Sequence, residues 1–315
     1  MLDDAVRMII IRGVIIILMS VAVITSAAGV LLAAATSTPT IVAADGILCD
    51  LTKKLVANDA KVICLIPAGA DPHTLALRPA DRTSLGKANL VLLNGYNLTP
   101  ALKGVKAGGP VVSLGEIALP NNPQNDPHLW HDPANVAAMA NVSVLKFKPL
   151  FSGQQIAAIN QRRTAMAGVL NSLGSWTAQQ VATVPEPQRV LVTGHRAYSF
   201  LSKRYGIREL PVIDEYATGG RMRPSSLNAI SKAIKASGTK VIFPESLPPS
   251  KTMRRISRAS GIPLASKALV ADGLAPGKSL IQTATSNVCT FVVAQGGRCD
   301  QQAAAQLQQR WSAIR

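Results

Sequence analysis

From residue 38 onward, short β-branched runs alternate with stretches of helical spacing, and this alternation constrains the fold more than any other feature. A first set of runs falls at Ile41–Ala44, Lys61–Ile66, Leu90–Asn94 and Val111–Leu114, and a second at Arg189–Thr193, Glu209–Val212, Lys240–Pro244 and Ala265–Val270. Unbroken apolar runs such as Val190–Gly194 and Val241–Glu245 suit strands buried on both faces. The segments Asp45–Val56, Asp81–Lys87 and Ser225–Ala236 have the spacing of helices. Strand–helix alternation implies parallel sheets with right-handed crossovers. Between the two sets, Ser152–Val184 carries Ile156, Ile159, Met166, Val169 and Leu170 at three- and four-residue spacing and predicts one long helix. Pro185-Glu186-Pro187 stops it. The predicted fold class is α/β: two lobes, each with a mainly parallel four-stranded sheet and flanking helices, joined by one long linking helix. The first lobe spans 38–150, the linking helix 152–184 and the second lobe 188–312.

Ahead of this region, residues 1–35 hold Arg7 and Arg12, then an apolar run from Gly13 to Ala35 that closes in small residues. This is the form of a secretory signal, with Ser26-Ala27-Ala28 and Ala33-Ala34-Ala35 as cleavage candidates. The run is also long enough for an uncleaved N-terminal anchor. Both readings make the rest periplasmic or otherwise extracytoplasmic. No cysteine stands near its end to carry a lipid. A hydrophobic content of 48% excludes disorder. The net charge of +16 raises the question of nucleic acid, but the bases are scattered (Lys53-Lys54, Arg162-Arg163, Arg221/Arg223, Arg254-Arg255) and aromatic residues make up only 4%. With no dense basic tract, no zinc-knuckle spacing and an exported chain, nucleic acid is not an expected partner. The excess reads as a solvated surface able to rest against anionic headgroups.

The chemistry lies in four histidines, His73, His128, His131 and His195. Each follows a predicted strand: His73 after Lys61–Ile66, His128 and His131 after Val111–Leu114, His195 at the end of Arg189–Thr193. Asp272 follows Ala265–Val270 in the same way. Ligands of parallel α/β sheets bind outside the carboxyl ends of the strands, so these side chains predict one metal site between the lobes. Imidazole nitrogen and carboxylate oxygen suit Zn²⁺, Mn²⁺ or Fe²⁺ rather than Ca²⁺ or Mg²⁺. Coordination rules alone do not rank His128 against His131.

The runs ADGILCDLTKKL (44–55), PAGADPHTLALRPADRTSLGKANLVLLNGYNL (67–98), DPHLWHDP (126–133), VTGHRAYSFLSKRYGI (192–207), VIFPES (241–246) and ADGL (271–274) resemble the zinc/manganese solute-binding family, in the family's motif order. Those proteins are the exported, metal-capturing components of ABC importers. The resemblance implies two α/β lobes bridged by a rigid helix, with a single metal ion as cargo. It implies His73, His128, His195 and Asp272 as ligands, and leaves His131 as an extra donor or an exposed side chain. It also implies a membrane permease as partner, for a chain expected to act as a monomer. Three departures stand out. Arg221 and Arg223 occupy a stretch where acids are common in relatives, no histidine-rich loop lies in 102–127, and His195 stands where many manganese relatives have glutamate. The last two pull the choice between Zn²⁺ and Mn²⁺ in opposite directions.

Glu245, at a strand end, is either an acceptor for a ligand's ring N–H or a capping carboxylate. Tyr198, Phe200 and Tyr205 either shield the site or form the core face of a helix. Cys49, Cys64, Cys289 and Cys299 contain no CxxC, so a thiolate metal site is not expected. Cys289–Cys299, across Gly296-Gly297, is the first pairing expected; Cys49 and Cys64 are either paired or buried thiols. Two competing functions use the same cluster: an exported zinc-dependent hydrolase, and a metal-stabilised surface adhesin. Against the hydrolase, the chain has no HExxH and no nucleophile elbow.

Overall fold

The computed structural model describes residues 38–122, 124–216 and 224–315; the expected leader at 1–35 and the stretch with Arg221 and Arg223 lie outside the described residues. Residues 38–315 form one compact unit. Strand β1 (Thr40–Ala43) enters helix α1 (Gly46–Val56) through Asp45, whose carboxylate accepts from the Leu48 N–H at 2.9 Å and so caps the helix. Then come β2 (Lys61–Cys64), α2 (Pro79–Gly86), β3 (Leu90–Leu93) and β4 (Val111–Ser113). The four strands pair in the order β2-β1-β3-β4, all parallel, with Ile41 between Val62 and Leu90. Ile41, Ala43, Leu90 and Leu92 enter the largest core cluster, while Val42, Ala44 and Val91 enter a smaller one with Leu85 of α2. Both faces are covered, which is why these strands read as unbroken apolar runs rather than alternating ones.

A short helix, α3 (Leu114–Ala118), follows β4 and takes up Leu114, which the sequence reading places at the end of the strand. Helix α4 (Pro133–Phe147) begins with Asp132 as its cap and Pro133 in its first turn. Helix α5 (Gly153–Ala182) has 30 residues, about 45 Å at the α-helical rise. It starts at a capping box: the Gln155 N–H donates to Ser152 Oγ, and the Ser152 N–H donates to Gln155 Oε1 at 2.9 Å. Its buried Ile159, Met166, Leu170, Leu173 and Trp176 belong to the largest cluster, which also holds residues of α1, α4 and the C-terminal helices α9 (Leu280–Ala294) and α10 (Gln301–Ser312). Asp50 of α1 ties those helices down by accepting from the Leu280 N–H at 2.8 Å and Trp311 Nε1 at 3.0 Å.

The second lobe contains β5 (Val190–His195), α6 (Ser199–Tyr205), β6 (Arg208–Ile213), α7 (Pro224–Ala236) and α8 (Lys251–Ser260). The sequence reading gives this lobe four strands; among the described residues only β5 and β6 pair regularly, in parallel. Of the other two segments, Lys240–Pro244 pairs beside β5 and Ala265–Val270 pairs in turn with Lys240–Pro244, neither forming a ladder. The Phe243 N–H donates to Val192 O at 2.8 Å, and Ile242 bridges Leu264 in parallel. Pro244 and Pro263 explain the shortfall, since each removes a donor that a longer ladder would need. Two disulfides complete the frame: Cys49–Cys64 joins α1 to β2, and Cys289–Cys299 joins α9 to the turn before α10. Among the described residues no helix is long and apolar enough to cross a membrane.

Candidate metal centre

His73 sits in a 3-10 turn, Pro72–Thr74, after β2, and the carboxylate of Asp71 fixes that turn by accepting from the His73 N–H at 2.8 Å. The same device recurs at Asp126-Pro127-His128, where Asp126 Oδ1 accepts from the His128 N–H at 3.0 Å. Here it also accepts from the ring, at 2.9 Å from Nδ1. His195 ends β5 and is 1% exposed. Glu245 Oε2 accepts from its Nδ1 at 2.9 Å, while Oε1 accepts from the Gly194 and His195 backbone N–H groups. Gly194 is needed for this approach, because a Cβ there would meet Glu245 Oε2 at 2.7 Å. A carboxylate only accepts, so in His128 and His195 Nδ1 keeps its proton, and Nε2 is the atom whose lone pair becomes available to a metal once its own proton has left.

Those Nε2 atoms converge on Asp272. Its Oδ1 lies 3.2 Å from His73 Nε2, 3.1 Å from His128 Nε2 and 3.6 Å from His195 Nε2. One donor atom from each of the four residues lies within 4.8 Å of every other. Four donors about 2.05 Å from a tetrahedral ion stand about 3.3 Å apart, so the three distances to Asp272 match the edges of such a shell. Buried His195 Nε2 has no hydrogen-bond partner. A buried ring nitrogen without a partner is costly, and once its proton has left a cation is the natural group to meet it.

The electrostatics agree. Burial raises the Asp272 pKa, but hydrogen bonds from His128 and His73, with His195 3.6 Å away, hold it well below the usual carboxylate range. Burial lowers the His195 pKa, yet Asp272 and Glu245 reverse this and push it up to about 10. His128 is raised in the same way, Asp126 and Asp272 outweighing burial. The cleft leading to His195 and Asp272 is lined also by Asp71 and Glu245, with no lysine or arginine among the described residues lining it. A protein of +16 therefore presents a cation-friendly channel.

The structure brings His73, His128, His195 and Asp272 together and leaves His131 out. Its Nε2 donates to Ala271 O at 3.0 Å, and its ring lies 4.4 Å from that of Tyr198. His131 is thus neither a fourth imidazole in the cluster nor an exposed side chain; it holds the residue before Asp272. Of the two readings of Glu245, the structure favours the acceptor. Tyr198 is buried under His131 and touches no cluster atom within hydrogen-bond range. Both cysteine pairs are disulfides, so the buried-thiol alternative for Cys49 and Cys64 falls. The role of Asp126 was not read from the sequence. The repeated Asp-Pro-His was its available signal, because an Asp two residues before a backbone N–H forms this turn by itself.

The chain is 25% identical over 245 residues to the metal ABC transporter substrate-binding lipoprotein SloC of Streptococcus mutans, spanning 72% of this chain and 79% of that protein. It is 26% identical over 267 residues to the manganese-binding lipoprotein MntA of Halalkalibacterium halodurans, spanning 80% and 87%. The solved structure of the periplasmic zinc-binding protein TroA from Treponema pallidum shares the fold, with a TM-score of 0.76 and 22% identity over 82% of this chain and 99% of that one. Residues 41–294 match the model of the family described as zinc-uptake complex component A, periplasmic. With the two-lobed fold and the four converging donors, that match places the chain in the ZnuA family of metal-binding proteins.

Proposed function

We propose that this chain is the extracytoplasmic capture component of an ABC-type importer for a divalent transition metal. The cargo is Zn²⁺ or Mn²⁺, with Fe²⁺ third, bound by His73, His128 and His195 through Nε2 and by Asp272 through Oδ1. One observation carries the reading: donors from four separate segments of both lobes lie within 4.8 Å of one another. Three neutral imidazoles and one carboxylate leave a divalent ion with a local charge of only about +1. Three nitrogen donors favour Zn²⁺ on affinity order, while supply outside the cell sets what is carried. Four protein ligands close the shell and leave no position for a catalytic water, which supports binding and release rather than turnover. The lobes 38–150 and 188–312, spanned by helix 152–184, supply two ligands each, so their parting would release the ion to a permease. Residues 1–35 take the chain out of the cytoplasm, and outside it the chain acts as a monomer. Titration of metal-stripped protein with Zn²⁺ and Mn²⁺, read by calorimetry with a competing chelator, is expected to give one site per chain. A folded protein that binds neither ion would end the reading.

A further inference from the structure

The charge of this protein is divided very unequally. Residues 38–150 hold ten basic and eight acidic side chains, whereas residues 188–315 hold nineteen and six, a balance of +2 against +13. Within the second lobe the imbalance is greatest from Pro224 to Ser260, which holds seven bases and one acid. That acid is Glu245, already engaged with His195.

Helices α7 and α8 present most of these bases on one layer. Leu227 and Ile234 of α7, with Met253 and Ile256 of α8, share a core cluster with Val190 and Val192 of β5 and Val212 of β6. Both helices therefore cover the same side of the second sheet, and they pack against each other. Their opposite sides face solvent. Lys232 and Lys235 are exposed on α7. On α8, Lys251, Arg255 and Arg258 are exposed at i, i+4 and i+7, one stripe down the helix. The lysine and arginine ion pairs among the described residues belong to Arg78, Arg162, Arg196 and Arg204, none of them on this layer. Leu247, 58% exposed, stands at the cleft rim just before α8 and adds an apolar contact at the edge of the basic stripe.

We infer that the outer layer of α7 and α8 docks the second lobe on an anionic membrane surface through Lys232, Lys235, Lys251, Arg255 and Arg258. The partner is a plane of anionic lipid headgroups. Bases without an ion pair among the described residues, spread over two packed helices with a leucine at the rim, suit a diffuse charged plane rather than a single carboxylate pocket. Contact through this layer brings the cleft rim near the bilayer. The membrane contact does not depend on metal capture; its use, holding a loaded cleft close to a permease, rests on the function proposed above.

Residues 38–315, which contain all three core clusters, avoid the apolar leader and serve for the test. The probes are sedimenting vesicles of phosphatidylglycerol with phosphatidylethanolamine, and vesicles of phosphatidylcholine alone. Binding is expected to the anionic vesicles only, and to be lost as salt rises from about 50 mM to about 500 mM, where screening is within a few ångströms. The triple variant Lys251→Glu, Arg255→Glu, Arg258→Glu should weaken partitioning at least tenfold, with melting temperature and metal stoichiometry unchanged. The same three positions changed to Gln should give an intermediate loss. A control on the first lobe, Lys103→Glu with Lys106→Glu, should bind like the parent. No binding by the parent, or an equal loss from the control, overturns the proposal. So does capture by polyglutamate beads without capture by anionic vesicles, which would assign the layer to an acidic protein.

Discussion

At the scale of single residues, the cluster is a competition between protons and metal. His73 and His128 bring their Nε2 atoms within 3.4 Å of each other, and both lean on the one Asp272 oxygen. Without an ion, protons must occupy part of that space; with one, they must leave. Because His195 is pushed up to about 10 and His128 is also raised, the metal-free site is protonated at neutral pH. Metal affinity should therefore climb with pH from about 6.5 to about 10, by up to about tenfold per unit for each proton displaced. Calorimetry in buffers of different ionisation enthalpy would count those protons, and a pH-independent affinity would contradict the geometry. The stability of the metal-free protein should run the other way. A histidine whose folded pKa is raised stabilises fully below its unfolded value near 6.5, and that contribution disappears as pH passes about 10. His73→Ala, His128→Ala and Asp272→Ala should each weaken metal binding at least tenfold. Glu245→Gln should cost about ten- to a hundredfold, since it frees the ring that Glu245 orients. For His131→Ala the expected loss is about three- to tenfold, reflecting an unsatisfied Ala271 carbonyl at roughly 1 kcal/mol rather than a lost ligand. A loss from His131→Ala as large as that from His128→Ala would make His131 a ligand.

Elements decide how firmly those residues are held. The segments that carry the clustered side chains follow β2, α3 and the irregular stretch before Asp272, with His195 at the end of β5, and α5 carries the core that both lobes share. Ser152→Ala removes one half of the capping box and should lower unfolding stability by about 1 kcal/mol while leaving metal affinity within twofold. Replacing Cys289 and Cys299 together by serine opens a link of sequence separation 10 and should cost about 2–3 kcal/mol in a denaturant titration. The same treatment of Cys49 and Cys64 should cost at least as much, since their separation is 15. Neither pair touches the cluster. A selective loss of metal binding in either disulfide variant, with stability intact, would show that the frame controls the site more directly than its packing suggests.

Across the whole molecule, donors from both lobes meet in one cluster, so under the proposed function binding and stability are linked. Metal at about a hundred times its dissociation constant should add about 2.7 kcal/mol and raise the melting temperature visibly. A folded chain whose melting point ignores saturating Zn²⁺ and Mn²⁺ would remove the basis of the proposed function. The overall charge of +16 should matter little to that binding, because the cleft is lined by carboxylates and distant charge is screened beyond about 8 Å at physiological salt.

The sequence by itself determined the α/β class, the long helix with its Ser152 start, and which four side chains gather into one cluster of potential metal donors. These properties are local: strand-forming runs, helical spacing, capping residues and the scarcity of histidine are written residue by residue. His73, His128, His195 and Asp272 were legible because each lies downstream of a predicted strand, on the side where ligands of parallel sheets bind. The displacement of His131 was not, for it depends on where Ala271 lies, 140 residues away. The reduced second sheet was hidden for a similar reason: Val241–Glu245 has the composition of a strand, and only its neighbours reveal how few donors are left to pair. Nor could spacing give the pairing of Glu245 with His195 or the second disulfide, since each joins segments that only the packed core makes adjacent. Local preference chooses the pieces; the distances between donors, and hence what they can hold, exist only after the pieces have packed.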